Sequence, residues 1–470
     1  METFRYDLVV VGAGSGGYAA ARTARDLGAS VALVDHGPLG GLCILRGCMP
    51  SKTLLASSDA IEEIRESEEL GVIAGRPRID FAHIMERKRK LIAGFADYRI
   101  EGIKSFPLYE GPASFESATR LRVGAGVALQ ATSFIIATGS VVAPAAVMGL
   151  EETGYVDSDA VLEADRLPES IVVLGGGYVG AELGQFLARM GVKTTFIIRA
   201  KHLLSSEDKD VGDALTFYFR DEGIDVRSGA LLQLAERRGD KKVVHYVRDG
   251  VPEEVEADEI FYALGRVPNL AGLELERAGV CPHAITGIDV GPDMRTCVPN
   301  IFAVGDVTGV HPLVHVAIYQ GELAARNAIN GTSEIADYAL QKTHTIFTDP
   351  QIAVAGQTEK ELQAEGVPYL VGSYLFAEHG KAVAINKTKG FVKMLASPSG
   401  GRILGAAIVG AHASDLIHEV IVAMYYGGNA AEFAKIPHLH PTLAEILTYP
   451  AEEIASQMAE RSPSAVAATA

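Results

Sequence analysis

The apolar positions of this chain form short runs that alternate with glycine turns and amphipathic helices in two separate places. The stretch YDLVVVGAGSGGYAAARTARDLGASVALVD predicts a strand, a glycine turn, an Ala-rich helix and a second strand. The stretch SIVVLGGGYVGAELGQFLARMGVKTTFII repeats this order further along. Because strands that alternate with helices form mostly parallel sheets, we predict an α/β fold with two doubly wound units.

Three further apolar runs each end at a glycine, in TSFIIATGS, DEIFYALGRVPN and PNIFAVGDVTG. Ligands of open α/β sheets bind beyond the carboxyl ends of the strands. We therefore expect Thr138, Gly139, Gly265 and Asp306, which lie at these three strand ends, to line a ligand cleft.

The pattern changes at about residue 345. HTIFTDPQIAVAG is followed by the helical TEKELQAEG, by GFVKMLASPSGGRILGAAIVG, which predicts a hairpin, and by helices to about residue 459. This part lacks a nucleotide signature, and we predict a C-terminal α+β domain. The predicted segments are 1–145 (first nucleotide-binding domain), 146–275 (second nucleotide-binding domain), 276–344 (return of the first domain), 345–459 (α+β domain) and 460–470 (disordered tail).

Gly12, Gly14 and Gly17 give the first unit the spacing G-x-G-x-x-G between its strand and its helix. The first glycine permits a tight turn, the second lets a pyrophosphate approach the backbone, and the third lets the helix pack on the strand. Asp35 ends the next strand, where a carboxylate can hold a ribose hydroxyl. These features predict a Rossmann-like dinucleotide site, although the spacing alone also suits a purely structural turn.

Gly175, Gly177 and Gly180 repeat the spacing in the second unit, so we expect two bound dinucleotides. The following strand ends at Ile198, and Arg199 stands where the ribose-binding acid is missing. An arginine at this point can accept the additional phosphate of NADP. Arg199 therefore favours NADP(H), and the alternative is a solvated surface charge.

The formal charge of −17 on 470 residues argues against a nucleic-acid backbone or an anionic membrane as the main partner. The opening METFRYDLVVVGAG has no cationic leader with an apolar segment, and no apolar run reaches membrane-spanning length. We therefore expect a cytoplasmic protein. Four cysteines cannot cross-link so long a chain, and in a reducing compartment a close pair indicates a redox couple or a metal site.

Cys43 and Cys48 lie five residues apart in GGLCILRGCMPSK, just before a predicted helix. On a regular helix this step separates two side chains by about 140°, so the helix must be distorted if the pair is to form a disulfide. Gly47 relaxes the backbone, and Pro50 is tolerated in a first turn. Because the positive end of a helix lowers thiol pKa values, we predict a reactive pair. A structural bridge and a zinc site are the less favoured alternatives, and we expect no metal.

The order of the motifs resembles the flavin-dependent pyridine nucleotide-disulfide oxidoreductases. It runs from the first glycine motif through C-x4-C, the second glycine motif, A-T-G, G-R-x-P-N and G-D to a closing H-P-T-L-x-E. The similarity extends to about residue 459 and is greatest to the dihydrolipoamide dehydrogenases. It implies an enzyme that passes electrons between NAD(P)(H), FAD, a Cys43–Cys48 disulfide and a dihydrolipoyl or lipoyl substrate, with a dimerisation domain at its C-terminus.

The resemblance also implies roles for individual residues. FAD would occupy the first site and NAD(P)(H) the second, with Cys48 next to the flavin and Cys43 exchanging with the substrate. Tyr178 would gate the nicotinamide, and Lys52 would pair with Glu182. Cofactor contacts are implied for the glycines of both motifs and for Asp35, Gly41, Lys52, Ala113, Thr138, Gly139, Tyr178, Arg199, Gly265 and Asp306.

The segment PHLHPTLAEIL supplies a candidate base for thiol exchange, in which a proton must be taken and returned. Glu445 can fix one imidazole nitrogen of His440 and leave the other for a thiol. The resemblance implies that this pair serves the other subunit's flavin, in an obligate homodimer with a shared active site. Without the resemblance, a histidine at a helix start is more often structural.

Departures from the family pattern keep other hypotheses open. Leu42 and the run Ile44-Leu45-Arg46-Gly47 replace the usual Thr and Leu-Asn-Val-Gly, so Arg46 either stabilises a thiolate, contacts a partner protein or is a surface charge. At position 199 the sequence has Arg199 in place of an acid, and in this respect it resembles the glutathione and mercuric reductases. This resemblance suggests an NADPH-dependent reductase of another small disulfide. A flavin-binding redox sensor or scaffold is the non-catalytic alternative. The sequence leaves the physiological substrate and the direction of electron flow open.

Overall fold

The computed structural model describes residues 2–461. The predicted disordered tail lies outside the described residues, except for Glu460 and Arg461, which are not disordered but form the end of a helix. The contacts of the described residues group into two compact units. The first unit contains residues 2–53, 82–144 and 265–337, and the second contains residues 54–81, 145–264 and 338–461.

The helices and strands have the following bounds. The α-helices of the described chain, α1 to α14 in order, are Ser15–Asp26, Leu42–Arg46, Cys48–Glu66, Phe81–Lys104, Leu150–Thr153, Ser158–Leu162, Tyr178–Arg189, Lys209–Asp221, Val314–Asn330, Glu359–Glu365, Gly380–Ala384, Ala413–Tyr425, Ala430–Phe433 and Thr448–Arg461. The strands, β1 to β21 in order, are Glu2–Val11, Val31–Asp35, Leu108–Glu110, Ala113–Ser117, Arg120–Val123, Val127–Ile136, Ser140–Val142, Ser170–Leu174, Lys193–Ile198, Asp225–Ser228, Ala230–Arg238, Lys241–Arg248, Val251–Ala257, Glu259–Tyr262, Arg266–Pro268, Ile301–Ala303, His344–Ile346, Gln351–Gly356, Leu370–Leu375, Phe391–Ala396 and Ile403–Gly410. None of the described helices is long and apolar enough to cross a membrane.

The first unit is built on a sheet in the order β3-β2-β1-β6-β5-β4, with β16 also paired to β6. The pairings among β3, β2, β1, β6 and β16 are parallel, whereas β5 pairs antiparallel with both β6 and β4. The last four residues of β1 are buried as a continuous apolar run, as expected for a strand covered on both faces. The carboxyl ends of β1, β6 and β16 therefore lie side by side and can form one ligand cleft.

Helices α1 and α9 cross closely in the first unit. A Cβ atom on Gly321 would lie 2.2 Å from the carbonyl oxygen of Gly16, and one on Gly16 would lie 2.9 Å from the carbonyl oxygen of Ala317. These glycines therefore set the distance between the two helices. The contact fixes α1, whose N-terminus carries the first glycine motif.

The second unit contains a parallel sheet in the order β10-β9-β8-β14 and an antiparallel sheet β11-β12-β13. It also contains a five-stranded sheet in the order β17-β18-β21-β20-β19, whose pairings are all antiparallel. Strands β20 and β21 pair as the predicted hairpin, and Thr358 and Glu361 form a capping box at α10. The predicted α/β fold with a C-terminal α+β part is thereby confirmed. The segment 54–81 and the α+β part group with the second nucleotide-binding fold, so the domain bounds drawn from the sequence stay predictions.

A buried arginine, Arg189, lies at the C-terminal end of α7 in the second unit. Its side chain is 1% exposed and forms ion pairs with Glu222 at 2.5 Å, Asp349 at 2.8 Å and Asp59 at 3.2 Å. Burial acts to lower the pKa of Arg189, but Glu222 and Asp349 raise it above its ordinary value. The three carboxylates come from α3, the end of α8 and the segment before β18, so one guanidinium joins three parts of the unit.

We predict that Arg189→Met strongly destabilises the protein, because it leaves carboxylates buried without their cation. Removing one partner of a buried ion pair lowers the free energy of unfolding by about 3–5 kcal/mol, and the lower end applies because Asp59 stays half exposed. Arg238→Met, which breaks an exposed pair with Glu254, should lower it far less, because water screens both charges. Urea unfolding of both variants compares the two, and equal losses would contradict the central role of Arg189.

Candidate active site

The first glycine turn is crowded at its ends and open in its middle. A Cβ atom on Gly12 would lie 2.3 Å from the carbonyl oxygen of Ala137, and one on Gly17 would lie 1.9 Å from that of Gly12. A Cβ atom on Gly14, the N-cap of α1, would meet nothing within 4 Å. The outer glycines thus let α1 pack against the strands, while the middle one leaves free space at a helix N-terminus, which suits a dinucleotide pyrophosphate.

Asp35, at the end of β2, is held by two backbone groups. The Ala13 N–H donates to its Oδ2 and the Gly37 N–H donates to its Oδ1, both at 2.7 Å. A carboxylate offers about four acceptor positions, so Asp35 can also accept from ribose hydroxyls. The Gly111 N–H donates to the Asp35 carbonyl at 2.9 Å, which places the start of β4, at Ala113, next to this end of the site.

The carboxyl end of β6 is tied to the other strand ends of the first unit. Thr138 Oγ1 donates to the Asn269 carbonyl at 2.7 Å, and the Asn269 N–H donates to the Gly139 carbonyl at 2.9 Å. Ser140 Oγ donates to Asp306 Oδ2 at 2.7 Å. The structure therefore brings Thr138, Gly139 and Asp306 together, as the sequence predicts.

Gly265 lies three residues beyond the end of β14, just before β15. Its carbonyl accepts from the Ala143 N–H at 3.0 Å, where β15 pairs with β7. Arg266 beside it donates to Ser140 Oγ at 2.9 Å. Gly265 thus lies near the same strand ends. Ser140 and Arg266 connect these ends, and the sequence did not identify either of them as a site residue.

The two cysteines lie on either side of a break between two helices. α2 ends at Arg46, Gly47 adopts φ −139° and ψ −116°, and α3 begins at Cys48. The predicted helix distortion is therefore confirmed, and the Cys43 thiol comes within hydrogen-bond distance of Cys48. Both cysteines are half-buried thiols.

The surroundings of Cys43 act on its pKa in opposite directions. The hydrogen bond with Cys48 and burial raise the pKa of Cys43 well above its usual range, whereas the positive charge of Lys52 acts to lower it. Lys52 lies one helical turn beyond Cys48 on α3. A thiol with a raised pKa keeps its proton near neutral pH, so exchange at Cys43 needs a base.

The cysteine segment touches the first glycine turn. Gly41, the N-cap of α2, adopts φ +83°, and a Cβ atom there would lie 2.9 Å from Gly14 Cα. A glycine is therefore required by the backbone conformation as well as by the close approach. This contact places the cysteine pair beside the space in which a dinucleotide fits.

The second glycine turn repeats this geometry in the second unit. Cβ atoms on Gly175 and Gly180 would lie 2.5 Å and 2.7 Å from the carbonyl oxygens of Ala263 and Gly175, whereas one on Gly177 would meet nothing within 4 Å. Arg199 follows β9 and is exposed, and no hydrogen bond or ion pair joins it to residues 2–461. Lys201 is also exposed, with Asp249 4.0 Å away. These two cations are thus available to an anionic ligand.

One face of α7 carries polar side chains that contact the segment 344–349. Tyr178 stacks on His344 with the ring centroids 5.5 Å apart. Glu182 accepts a hydrogen bond from the Phe347 N–H at 2.9 Å. The predicted partner of Glu182, Lys52, belongs to the other unit, and their pairing stays a prediction.

His440 and Glu445 form the predicted pair. His440 Nδ1 lies 3.0 Å from Glu445 Oε1, and the hydrogen bonds from His440 and from the Thr442 N–H lower the pKa of Glu445. The His440 side chain is 80% exposed, so its Nε2 side is open to a partner. Nearby His379 is buried, which lowers its pKa, while Glu445 acts to raise it.

Sequence reasoning missed Glu207 and His344, which contact Tyr178, and His379, which lies near Glu445. None of them belongs to a motif, and each reaches its partner through the tertiary fold. Sequence reasoning also missed three carboxylates close enough to share a metal ion, Asp208, Asp210 and Glu359. The buried ammonium of Lys393 bonds all three, so this cluster is already neutralised in part by a protein cation.

Family models match almost the whole chain. A model described as pyridine nucleotide-disulphide oxidoreductase matches residues 6–321, and the dimerisation domain of the same family matches residues 343–451. The dihydrolipoyl dehydrogenase of Geobacillus stearothermophilus is 37% identical over 453 residues, which cover 95% of each chain. The dihydrolipoyl dehydrogenase of Bacillus subtilis is 34% identical over 458 residues, with 96% of each chain covered.

Solved structures agree in fold. The HOCl-induced flavoprotein disulfide reductase RclA from Escherichia coli is 25% identical with a TM-score of 0.84, over 95% of this chain and 99% of that one. Its Cu(II) complex has a TM-score of 0.85 at 24% identity, over 96% of this chain and 99% of that one.

We predict that one methyl group at the middle glycine of either turn blocks only the ligand of that turn. Gly14→Ala and Gly177→Ala fit the observed backbone angles and the open space. Gly14→Ala should lower the bound flavin to a small fraction at unchanged apoprotein stability, and Gly177→Ala should raise KM for the nucleotide about tenfold or more. Flavin absorbance per protein and steady-state kinetics measure the two effects. Retention of full flavin by Gly14→Ala would contradict the assignment.

Proposed function

Because the chain belongs to the pyridine nucleotide-disulphide oxidoreductases, we propose that it transfers two electrons between a dihydrolipoyl dithiol and NAD(P)⁺. It is an FAD-dependent disulfide oxidoreductase with a C-terminal dimerisation domain. The observation that carries the proposal is the contact between the Cys43 and Cys48 thiols, next to a glycine turn with space for a dinucleotide. FAD, once bound, supplies two-electron transfer between this cysteine pair and the nicotinamide.

The first half-reaction is a thiol–disulfide exchange at Cys43. A substrate thiolate attacks the Cys43 sulfur of the oxidised pair, and Cys48 leaves as a thiolate. The second substrate sulfur then displaces Cys43, so that the substrate becomes a disulfide and the enzyme a dithiol. Two electrons and the substrate protons have moved to the protein, and reoxidation passes a hydride equivalent to NAD(P)⁺ and releases a proton.

His440 is the proposed base in this exchange. Glu445 fixes its Nδ1, so that Nε2 is presented to a substrate thiol, which must lose its proton before its sulfur attacks Cys43. In the reverse direction the Cys43 thiol is the nucleophile, and its raised pKa makes the same base necessary. The high exposure of His440 within its own chain and its position in the dimerisation domain support a role at the active site of the partner subunit. Lys52 would favour the thiolate state of the pair through its charge.

A second candidate is an NADPH-dependent reductase of another small disulfide. Arg199 and Lys201 favour it, because two exposed cations follow β9 where a ribose-binding acid is expected in an NAD site. The chemistry at the cysteines is the same and runs in the opposite direction.

Cys43→Ser tests the exchange. We expect it to reduce turnover of dihydrolipoamide to background while reduced nucleotide still bleaches the flavin, because only the exchanging thiol is lost. Cys297→Ser, at an exposed cysteine, is the control and should keep full activity. A panel of lipoamide, glutathione disulfide and cystine ranks the substrates. Lipoamide turnover by Cys43→Ser would exclude this role for Cys43, and a faster reaction with glutathione disulfide or cystine would favour the second candidate.

Arg199→Ala tests the nucleotide. We expect KM for NADPH to rise about tenfold and KM for NADH to stay constant, because a charge-assisted hydrogen bond to the 2′-phosphate contributes about 1.5–3 kcal/mol. Lys209→Ala, which removes an exposed cation paired with Asp213, controls for the general loss of positive charge. Equal KM changes for both nucleotides would show that Arg199 does not recognise the phosphate.

A further inference from the structure

Three side chains from distant parts of the chain meet at the first residue of α7. Tyr178 Oη donates a short hydrogen bond to Glu207 Oε1, and His344 Nε2 lies 3.1 Å from Glu207 Oε2. The Tyr178 and His344 rings are stacked, with an interplanar angle of 21°. Ser206 Oγ contacts both Tyr178 Oη at 3.3 Å and Glu207 Oε1 at 3.2 Å. The ring of Tyr178 is therefore fixed at its face and at its hydroxyl.

The protonation states in this cluster follow from the geometry. Glu207 is 4% exposed, and burial acts to raise its pKa, but the hydrogen bonds from His344, Tyr178 and Ser206 lower it below its usual range. Glu207 is therefore a carboxylate and can only accept hydrogen bonds. It follows that Tyr178 donates its hydroxyl proton and that His344 carries a proton on Nε2.

Tyr178 stands directly beside the open part of the second glycine turn. It follows Gly177, next to which there is free space, and a dinucleotide pyrophosphate binds at such a helix N-terminus. In the gate role proposed for Tyr178, a nucleotide that binds there must displace the ring. This ring is half-buried, and the residues that contact it, Glu207, Ser206 and His344, all belong to the second unit.

We propose that Glu207 and His344 are positioning residues that latch the Tyr178 ring across the entrance of the second nucleotide site, so that NAD(P)(H) must break these contacts to bind. This inference rests on the proposed role of Tyr178 as a gate. The latched state does not admit the nucleotide, and the apparent dissociation constant equals the intrinsic one divided by the fraction of open molecules. Weakening the latch therefore tightens nucleotide binding.

Direct binding of NADP⁺ and NAD⁺ to the oxidised holoenzyme, measured by calorimetry, tests the latch. Glu207→Gln and Tyr178→Phe should each lower the dissociation constant about three- to tenfold, because phenylalanine lacks the hydroxyl donor and a neutral amide is a weaker acceptor than a carboxylate. The double variant should gain little beyond Tyr178→Phe alone, since both changes act on the same hydrogen bond. A gain in affinity is not produced by general structural damage, which would weaken binding.

A matched control exists in the same unit. Tyr246 Oη donates to Glu253 Oε2 at 2.7 Å in the antiparallel sheet β11-β12-β13. Tyr246→Phe and Glu253→Gln make the same chemical changes away from the glycine turn, and nucleotide affinity should stay constant in both. If Glu207→Gln does not fold, Tyr178→Phe, which removes only a hydroxyl, gives the same test.

Two negative results are distinguishable. Unchanged or weaker affinity in Tyr178→Phe and Glu207→Gln, with wild-type binding intact, would overturn the latch and leave the proposed function standing. Failure of the wild-type holoenzyme to bind either nucleotide would overturn the second nucleotide site itself, and the latch with it.

Discussion

The close approach of backbone to backbone at the two glycine turns is the constraint on which both sites depend. At Gly17 and at Gly180, a Cβ atom would collide with the carbonyl oxygen of the first glycine of its own motif. Any side chain there would push the helix away from the strand and turn its N-terminus out of the cleft. At Gly14 and Gly177, in contrast, the space that a side chain would occupy is open. Packing thus requires glycine at the outer positions, whereas at the middle positions it does not, and the open space there is what the proposed ligands would occupy.

The polar face of α7 connects the second glycine turn to the segment 344–349 of the same unit. Tyr178, Glu182, Gln185 and Arg189 follow one another at helical spacing, and each contacts the segment 344–349. The last three are almost fully buried, so their hydrogen bonds must be satisfied within the protein. Gln185, for example, bonds both the N–H and the carbonyl of Asp349. The helix that opens at the second nucleotide turn is therefore held along its length by the strand region that begins the dimerisation domain.

The sequence predicts those structural features that depend on the spacing of residues within one short segment. The glycine turns, Asp35 at the end of β2, the break of the helix at Gly47 and the hairpin β20–β21 are all properties of short segments, and the structure has each of them. The partners of Tyr178 were not predictable in this way, because Glu207 and His344 are 29 and 166 residues away. Arg189 is a basic residue in the last turn of α7, and only the tertiary fold shows the three carboxylates around it. The grouping of 54–81 with the second unit also arises from tertiary contacts, which a linear pattern does not contain.

The environment of the cysteines explains why thiol exchange needs a separate residue as its base. Burial and the hydrogen bond to Cys48 keep Cys43 protonated in the reduced pair, and Lys52 opposes this only in part. A dithiol in this state is protected from unwanted exchange, since the thiolate is the reactive form. The same protection means that productive exchange has to be started by a group that removes a proton when a substrate is in place. An exposed imidazole fixed at one nitrogen, as at His440, has the required chemistry, and its place in the dimerisation domain would make this step depend on assembly of the dimer.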